Sequence, residues 1–490
     1  MLYLGRRPRR IRLGLAALLL LSAAASSGCG GSSPQAYPKA VYLGRTHAVL
    51  LTSAVGGNEP ITLDLGITSL TLKNQDGKTF TLFDGPNCAN DFAACLGAEF
   101  MHVNGRVSAP LLSAAIPEGI YTAATISVGE CSADLVAATS GFYGFCNLAS
   151  GSGAATVRLP KPLSILGPDL ALNLQLDLDQ SVQTTAGCFT APSQTNSCDF
   201  TLAPAFTLNT VPIAQPPTSI QNGLITGVNG QIQDIASGSL QLLTGEGAKL
   251  TLATNSSTQI QGLAAIADLA PNMYVQADAA LQPDGSLLAT RVEVDAPTAL
   301  YWSTGTLITG IDSFSPEFQF STLAHLGSTF ASPLYSVTGS TAFTTAAAFT
   351  NLASLPFPAV FNAQTMIAGQ SVSIFYSILQ EPTYPNLPPA AIITLEPQAL
   401  EGSVAAVSQS GQFTVYQITL AADDLFAELQ PSTAIYPHLS DLSTAYVYAG
   451  PSTLAPSAAL TAGTTAVFRG LVFDDNGTLR MDCERVMPVG

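Results

Sequence analysis

The chain has 490 residues, with 17 Lys or Arg against 33 Asp or Glu, and charged residues make up only 10% of it. The first 29 residues hold five Arg and no acidic residue, so the remainder carries a net charge of −21. Such an acidic surface repels phosphate groups, which excludes nucleic acid as an expected partner.

The first 29 residues predict an export signal. Five arginines lie between Arg6 and Arg12, and an apolar run follows from Leu13 to Ala25. A basic region, a short apolar region and then small residues are typical of a secretory signal peptide. The run is shorter than the roughly 20 apolar residues that a permanent membrane helix needs. We therefore expect the protein to be exported.

The signal ends in Ser26-Ser27-Gly28-Cys29, which resembles the lipobox of bacterial lipoproteins, with Ser26 in place of a Leu-like residue. The resemblance implies that Cys29 is acylated and anchors the protein to a membrane. Residues 30–39 then form a flexible tether. Gly30 follows the cysteine in place of an aspartate, which favours the outer membrane or cell surface. The alternative is ordinary signal cleavage, which leaves a soluble protein.

Six further cysteines cluster in the front part of the chain, and in an exported protein an even, clustered set predicts disulfides. They form three couples, separated by 7, 15 and 10 residues: Cys88 and Cys95, Cys131 and Cys146, Cys188 and Cys198. Pairing within each couple is the simplest of the 15 connectivities that six cysteines allow. Cys483 is left without a partner or an assigned role.

Residues 40–212 predict an antiparallel β-sandwich. Leucine occupies every second position from Leu170 to Leu178, which indicates a strand with one buried and one hydrated face. Asp76-Gly77 stands between two alternating runs and predicts a hairpin, because glycine tolerates a positive φ.

The order of five segments in this region is similar to an uncharacterised β-sandwich domain of bacterial lipoproteins. The segments are VLLTS (49–53), ITSLTLKNQDGKTFTLFD (67–84), IPEGIYTAATISVG (116–129), LALNLQLDLDQSV (170–182) and FTLAPAFTL (200–208). The resemblance implies a fold and an envelope location, and it implies no activity.

Residues 213–222 form a proline-rich linker, and three β-repeats follow, over 223–298, 299–399 and 400–490. Asp284-Gly285 and Asn476-Gly477 predict closing hairpins in the first and third repeats. In the strand after each turn the alternation changes phase, which a β-bulge explains. The repeats resemble a small, uncharacterised β-repeat of secreted bacterial proteins. We expect three OB-like or partly closed barrels, and an all-β protein.

Motifs for catalysis are missing from the sequence. The four histidines are isolated, with no HExxH pattern, and there is no GxSxG motif. Asp177 and Asp179 are expected on one face of a strand, about 6.6 Å apart, where they could bind calcium with loop oxygens. The alternative, a hydrated strand face, needs no cofactor.

Aromatic side chains are the candidates for ligand contact, because sugars stack on aromatic rings. The sequence offers Trp302 at the start of the second repeat and Phe142, Tyr143 and Phe145 in the loop before Cys146. Core or inter-repeat packing is the alternative for Trp302. We therefore expect a non-catalytic envelope lipoprotein with a structural or binding role, either adhesin-like or polysaccharide-binding. The alternative is a secreted hydrolase whose site is assembled across domains.

Overall fold

The computed structural model describes most of the chain beyond the predicted signal and tether. The described ranges are 45–57, 60–85, 96–101, 103–106, 112–135, 144–148, 154–167, 170–184, 198–214, 216–217, 222–244, 249–296, 301–307, 317–326, 334–346, 348–376, 387–421, 424–426, 439, 441, 443–456 and 460–489. These residues belong to one compact unit. They are built almost entirely of strands, which confirms the all-β prediction.

The front of the chain forms a β-sandwich. Its strands are β1 (Arg45–Val55), β2 (Pro60–Asn74), β3 (Thr79–Asp84), β4 (Leu96–Glu99), β5 (Leu112–Pro117), β6 (Gly119–Leu135), β7 (Gly144–Leu148), β8 (Ala154–Val157), β9 (Leu163–Ile165), β10 (Leu170–Asp177), β11 (Val182–Thr184), β12 (Cys198–Leu202) and β13 (Phe206–Pro212). One helical turn, α1 (Leu178–Ser181), follows β10.

The sandwich has two sheets, and neither is purely antiparallel as the sequence predicted. The four-stranded sheet has the order β13-β10-β1-β5, and its central strands β1 and β10 run parallel. The nine-stranded sheet has the order β11-β12-β7-β6-β2-β3, with β4, β8 and β9 paired along its sides and β7 parallel to β12. The sandwich is therefore mixed, because strands distant in sequence meet side by side.

The leucine alternation in β10 has the predicted effect. Leu172, Leu174 and Leu176 are at most 1% exposed and lie in the core between the two sheets. Ala171, on the opposite face, is also buried, because that face packs against the first barrel. The four-stranded sheet is therefore covered on both sides.

The three repeats form the three barrels. Barrel 1 contains β14 (Leu224–Ala236), β15 (Ser239–Thr244), β16 (Lys249–Ala253), β17 (Gln259–Gln261), β18 (Tyr274–Leu281) and β19 (Leu287–Ala296). Barrel 2 contains β20 (Tyr301–Leu307), β21 (Glu317–Leu326), β22 (Leu334–Ser336), β23 (Ala342–Thr345), β24 (Ser371–Tyr376) and β25 (Ala390–Leu395). Barrel 3 contains β26 (Gln398–Ser410), β27 (Phe413–Leu420), β28 (Thr444–Leu454), β29 (Thr465–Asp474) and β30 (Leu479–Pro488).

The barrels share one strand order, in which the five principal strands run 1-2-3-5-4 and strand 4 returns to strand 1. Barrel 3 closes completely in this order, with β28 parallel to β30. Barrel 1 closes through a short parallel pairing of β16 with β19. In barrel 2 the same closure is a single parallel bridge between Ser336 and Pro389. This is the OB-type order, so the prediction of OB-like or partly closed barrels is confirmed.

Helical structure in the described residues is limited to short pieces. Besides α1, 3-10 turns occupy Ile266–Asp268 in barrel 1 and Leu352–Ser354 in barrel 2. In the part of the chain that the structure describes, no helix is both long and apolar enough for a membrane span.

The predicted hairpins form where the glycines require them. Asn476 and Gly477 both have positive φ, 53° and 86°, as a two-residue type I′ turn demands. The turn at Asp284-Gly285 is one residue longer than predicted, with the Gln282 N–H bonded to the Ser286 carbonyl. Here Gly285 alone has a positive φ, 85°, which is typical of a three-residue hairpin loop.

The predicted bulges are also present. In barrel 1 the pairing skips Thr290, since Asp278 faces Arg291 while Ala279 faces Ala289. In barrel 3 it skips Glu484, because Arg469 and Gly470 face Arg485 and Cys483. The barrel 3 bulge leaves Cys483 in the barrel core, 4% exposed.

Barrels 1 and 2 complete their cores with residues of a neighbouring domain. The core of barrel 1 includes Val49, Leu51 and Ala171 from the four-stranded sheet of the sandwich. The core of barrel 2 continues into Phe413, Val415, Tyr448, Leu471 and Phe473, on the outer side of barrel 3. Burial of apolar surface between the domains therefore joins them into one body.

A cluster of aromatic side chains lies at the interface between barrels 2 and 3. Phe357 of barrel 2 is 7% exposed, and its ring centroid lies 4.8 Å from that of Tyr448 and 6.0 Å from that of Phe473. The Arg480 guanidinium lies 5.6 Å from the Phe357 ring and also over the rings of Tyr446 and Tyr448. Such a partly exposed cation–π cluster adds to the apolar stabilisation of the interface.

We predict that Phe357→Ala destabilises the protein by about 3–5 kcal/mol, because it leaves a cavity and removes the ring contacts of Arg480 and Tyr448. Val360→Ala in the same segment is the control, since Val360 is 45% exposed and its loss is expected to cost under about 0.5 kcal/mol. Urea denaturation measures both variants. Equal stability of the two would contradict the assigned packing role of Phe357.

Candidate functional site

The structure describes the side chain of one of the six cysteines that the sequence predicts to form disulfides. Cys131 lies in β6, is half-buried and is disulfide-bonded. The remaining five, or their side chains, lie outside the described residues: Cys88, Cys95, Cys146, Cys188 and Cys198. The predicted lipid site, Cys29, also lies outside them. Pairing within the three couples stays a prediction.

The calcium hypothesis assumed that Asp177 and Asp179 share a strand face, and this placement is wrong. β10 ends at Asp177, whose carboxylate caps α1 by accepting the Gln180 N–H at 3.0 Å. Asp179 lies within α1, and its Oδ1 accepts the Gly57 N–H at 2.7 Å. Each carboxylate therefore holds backbone. Within the described ranges, no group of three or more His, Cys, Asp or Glu side chains is placed to hold a metal.

Trp302 is buried between barrels 1 and 2. It is 3% exposed and forms a small cluster with Tyr274 of barrel 1 and Phe375 of barrel 2. Tyr274 and Phe375 meet edge to face, with ring centroids 5.6 Å apart. In this position Trp302 offers no ring face to a sugar, and its role is inter-barrel packing.

The other proposed contact residues cannot be placed. Phe142 and Tyr143 lie outside the described residues. Phe145 lies in β7, where its backbone pairs with Asp199, but its side chain is not described. They remain candidates from the sequence alone.

The structure brings together a cavity, lined by charged, polar and apolar residues, that the sequence did not predict. It has a volume of about 150 Å³ and is lined by residues of the sandwich and of all three barrels. We call it the junction cavity. Its polar lining includes Asn104, Arg106, Arg291, Glu396, Gln398 and Arg469.

Basic residues converge on this cavity. The chain has only 12 of them after residue 29, and four lie at or beside the junction: Arg106 of the sandwich, Arg291 of barrel 1, and Arg469 and Arg485 of barrel 3. A third of the basic groups of an acidic protein therefore meets in one place. Charged residues that converge from separate domains indicate either a binding site or a contact that holds the domains together.

Arg291 organises the barrel 1 side of the cavity. Its Nε lies 2.8 Å from Asp278 and its Nη1 2.5 Å from Glu293, while Nη2 donates to the Gln276 side chain at 3.2 Å. The second oxygen of Asp278 accepts the Gly227 N–H at 2.9 Å. These charge-assisted bonds fix the guanidinium in one orientation.

Three other arginines connect the sandwich loop to the barrels through carbonyl groups. Arg106 Nη1 donates to the Gly227 carbonyl at 2.9 Å, which ties the sandwich to barrel 1. Arg469 Nη1 donates to the Asn104 carbonyl at 2.8 Å, and Arg485 Nη1 donates to the Gly105 carbonyl at 3.1 Å. The last two bonds tie the same loop to barrel 3.

Electrostatics around barrel 3 are set by burial. Arg469 is 5% exposed and pairs with Glu484 at 3.0 Å. Burial lowers the pKa of Arg469 below its ordinary value. The pKa of Arg485 is lowered to about 10, chiefly by burial and to a smaller extent by the nearby positive charge of Arg469. Arg485 therefore stays cationic at neutral pH.

Glu396 is the acidic group of the barrel 2 side, in the two-residue connection between β25 and β26. Burial raises its pKa to about 7, against the opposing effects of the Ser373 hydrogen bond and the charges of Arg106 and Arg469. The Ser373 hydroxyl donates to its Oε1 at 2.7 Å. The junction therefore holds a carboxyl that titrates near neutral pH.

Asn104 supplies a hydrogen-bond acceptor to the cavity. Its side chain is 1% exposed, and its Nδ2 donates to the carbonyls of Gly56 and Gly57 at 3.0 and 3.2 Å. Both bonds fix the amide orientation, and the Oδ1 has no hydrogen-bond partner among the described residues. A buried acceptor in that state costs free energy unless a donor reaches it.

No pattern in the sequence predicted this cavity. Asn104 and Arg469 lie 365 positions apart, and no motif links them. The one available signal was compositional, because arginine is rare after residue 29. Their convergence depends on how the domains pack.

The fold and the cavity together define an all-β protein in which a mixed sandwich is fused to three OB-like barrels. A family model described as Domain of unknown function (DUF5666) matches residues 229–293, which span most of barrel 1. The match is consistent with the expected small β-repeat family for that unit. No curated protein matches the chain by sequence.

Among solved structures, the chain is similar to one titled "drosophila Unr CSD456". The identity is 10%, the match covers 54% of this chain and 98% of that chain, and the TM-score is 0.12. A similarity at that TM-score carries no argument about the fold or the function of this chain.

We predict that Glu396→Gln changes the pH dependence of stability. The folded-state pKa of about 7 lies above the ordinary 4.5, so the folded protein binds more protons between those values. The stability that this shift contributes is present below about pH 4.5 and is lost as the pH rises through 7. Relative to Glu396→Gln, the wild type should lose at most about 3 kcal/mol over this window.

Urea denaturation from pH 4.5 to 8 measures the difference. Asp284→Asn is the control, because hydrogen bonds from Ser286 lower the pKa of the exposed Asp284 carboxyl, so its effect on stability should not change between pH 4.5 and 8. A constant difference between wild type and Glu396→Gln at every pH would contradict a titrating Glu396.

Proposed function

We propose that the protein is an exported, lipid-anchored envelope protein with a non-catalytic binding role, and that its ligand is a polysaccharide. The observation that carries the proposal is the OB-type strand order of the three barrels. The outer face of strands 2 and 3 in OB-type barrels is used to bind oligosaccharides and oligonucleotides. This support is an analogy at the level of the fold.

The net negative charge of the chain favours an oligosaccharide over an oligonucleotide as the ligand. After residue 29 the chain has 12 basic and 33 acidic groups. Four of the basic groups are engaged at the junction cavity, and so they do not form a groove for a phosphate backbone. A neutral or hydroxyl-rich chain suits this surface better than a polyanion does.

The envelope location is supported by the leader and by the cysteines. The Arg-rich start, the apolar run and Cys29 form the pattern of a lipoprotein signal. Cys131 is disulfide-bonded, which fits an oxidising compartment. The resemblance of residues 40–212 to a sandwich domain of bacterial lipoproteins agrees with this location.

The joined domains suit a binding role outside the cell. Shared cores and the arginine bonds at the junction hold the sandwich and the barrels in fixed positions. A ligand that spans more than one barrel then meets a preorganised surface, which lowers the entropy cost of binding.

We predict that Cys29 carries the lipid. In a bacterial host with two membranes, the wild-type protein should incorporate an alkyne-tagged fatty acid and sediment with the membranes. Cys29→Ser should lose the label and appear in the soluble periplasmic fraction. Cys483→Ala is the matched control and should keep the label, and a labelled Cys29→Ser protein would refute the assignment.

We predict that the soluble mature chain, residues 30–490, binds polysaccharide. Affinity electrophoresis in gels that contain cellulose derivatives, glucans or galactomannans should retard it, and a single-stranded DNA 20-mer should show no shift. A screen for protein partners, run in parallel, tests the adhesin-like form. Binding of DNA, or of none of these polysaccharides, would overturn the proposal.

A further inference from the structure

A second polar space lies between barrels 2 and 3, and its volume is about 300 Å³. We call it the interbarrel groove. One wall is the 348–354 segment of barrel 2, with Phe349, Asn351 and Ser354. The other wall is barrel 3, through the turn residue Gln412, residues 450–453 at the end of β28, and residues 482–484 of β30.

The groove occupies one end of the strand 2–3 face of barrel 3. β27 and β28 are strands 2 and 3 of this barrel, and Gln412 lies in the turn that connects strand 1 to strand 2. The central part of the same face is covered by barrel 2, where Phe357 packs on Tyr448. The groove is therefore the part of this face that stays open beside the 348–354 segment.

Asp482 gives the groove its acceptor. It projects from the outer side of β30, half-buried, between the buried Met481 and Cys483. No hydrogen-bond donor reaches its carboxylate among the described residues, and burial, with the nearby charge of Glu484, raises its pKa to about 6. A half-buried carboxylate without a donor is a strong acceptor for a ligand that brings hydroxyl groups.

Neutral hydrogen-bonding groups and a ring surround this acceptor. The Gln412 amide donates to the Ser354 hydroxyl at 3.4 Å, so the two walls already meet at one point. Asn351 and Ser452 add an amide and a hydroxyl at the exposed rim, and the half-buried Phe349 adds an aromatic side chain. Hydroxyl acceptors and donors beside an aromatic surface are the chemistry that a sugar ring requires.

The charge of the groove excludes anionic ligands. Asp482 and Glu484 both line it, and the cation that pairs with Glu484, Arg469, lines the junction cavity instead. A phosphate or a uronic acid placed beside Asp482 would be repelled. A neutral sugar unit meets no such penalty.

We propose that the interbarrel groove is a subsite for a neutral sugar unit, in which the Asp482 carboxylate accepts hydrogen bonds from two adjacent hydroxyls and Asn351 and Gln412 hold others. This inference rests on the proposed polysaccharide-binding function and assigns a place and a sugar class to it. Glu484, the bulged residue of β30, separates the groove from the junction cavity.

Isothermal titration of the mature chain, residues 30–490, tests the subsite. The probes are cellohexaose, maltohexaose, laminarihexaose and mannohexaose at neutral pH. For the hexasaccharide that binds wild type, Asp482→Asn should weaken the affinity at least tenfold, because the amide accepts fewer hydrogen bonds. Asn351→Ala, on the opposite wall, should also weaken it.

Asp284→Asn is the matched control, since Asp284 lies on an exposed hairpin of barrel 1, and it should bind as wild type does. Thermal unfolding of each variant shows whether it is folded. Wild-type affinity in the folded Asp482→Asn and Asn351→Ala proteins would overturn the subsite while the polysaccharide function stands. If the wild type binds no hexasaccharide and no polysaccharide, both fail together. If the same titration shows binding of a simple amine, such as spermidine, in place of a sugar, this would also overturn the subsite.

Discussion

Burial of apolar surface between neighbouring domains completes the cores of two of the three small barrels, and this packing shapes the rest of the structure. Barrel 1 takes Val49, Leu51 and Ala171 of the sandwich into its core. Barrel 2, closed by a single bridge, continues its core into Leu471 and Phe473 of barrel 3. Small domains are marginally stable because they bury a small fraction of their surface. Sharing cores solves this problem and fixes how the domains are placed.

Polar and charged residues line two spaces at the edges of these shared cores. The junction cavity forms where four domains meet, and the interbarrel groove forms at the edge of the barrel 2–barrel 3 contact. Arginine bonds to backbone carbonyls line the first, while an unbonded carboxylate lines the second. The junction cavity is therefore chiefly a contact that holds the domains together, and the interbarrel groove is the space that we propose as the ligand site.

Local sequence patterns predicted the local structure. Period-two leucines gave a buried strand face in β10, and Asn476-Gly477 gave a tight hairpin, because alternation and positive φ are properties of adjacent residues. The same pattern failed one step later, since the Asp177 cap converts Leu178 and Asp179 to a helical turn. The parallel pairing of β1 with β10, the burial of Trp302 and the convergence of Arg106 with Arg469 all depend on distant partners. Periodicity carries no information about these.

The placement of Cys483 has a consequence for how the chain matures. Its thiol lies 4% exposed in the closed core of barrel 3, where burial raises its pKa far above the ordinary range. Thiol–disulfide exchange proceeds through the thiolate, so a sequestered, protonated sulfur is a poor competitor for the cysteines of the sandwich. Once barrel 3 has closed around it, the Cys483 thiol is shielded from exchange with the six cysteines that the sequence predicts to form disulfides.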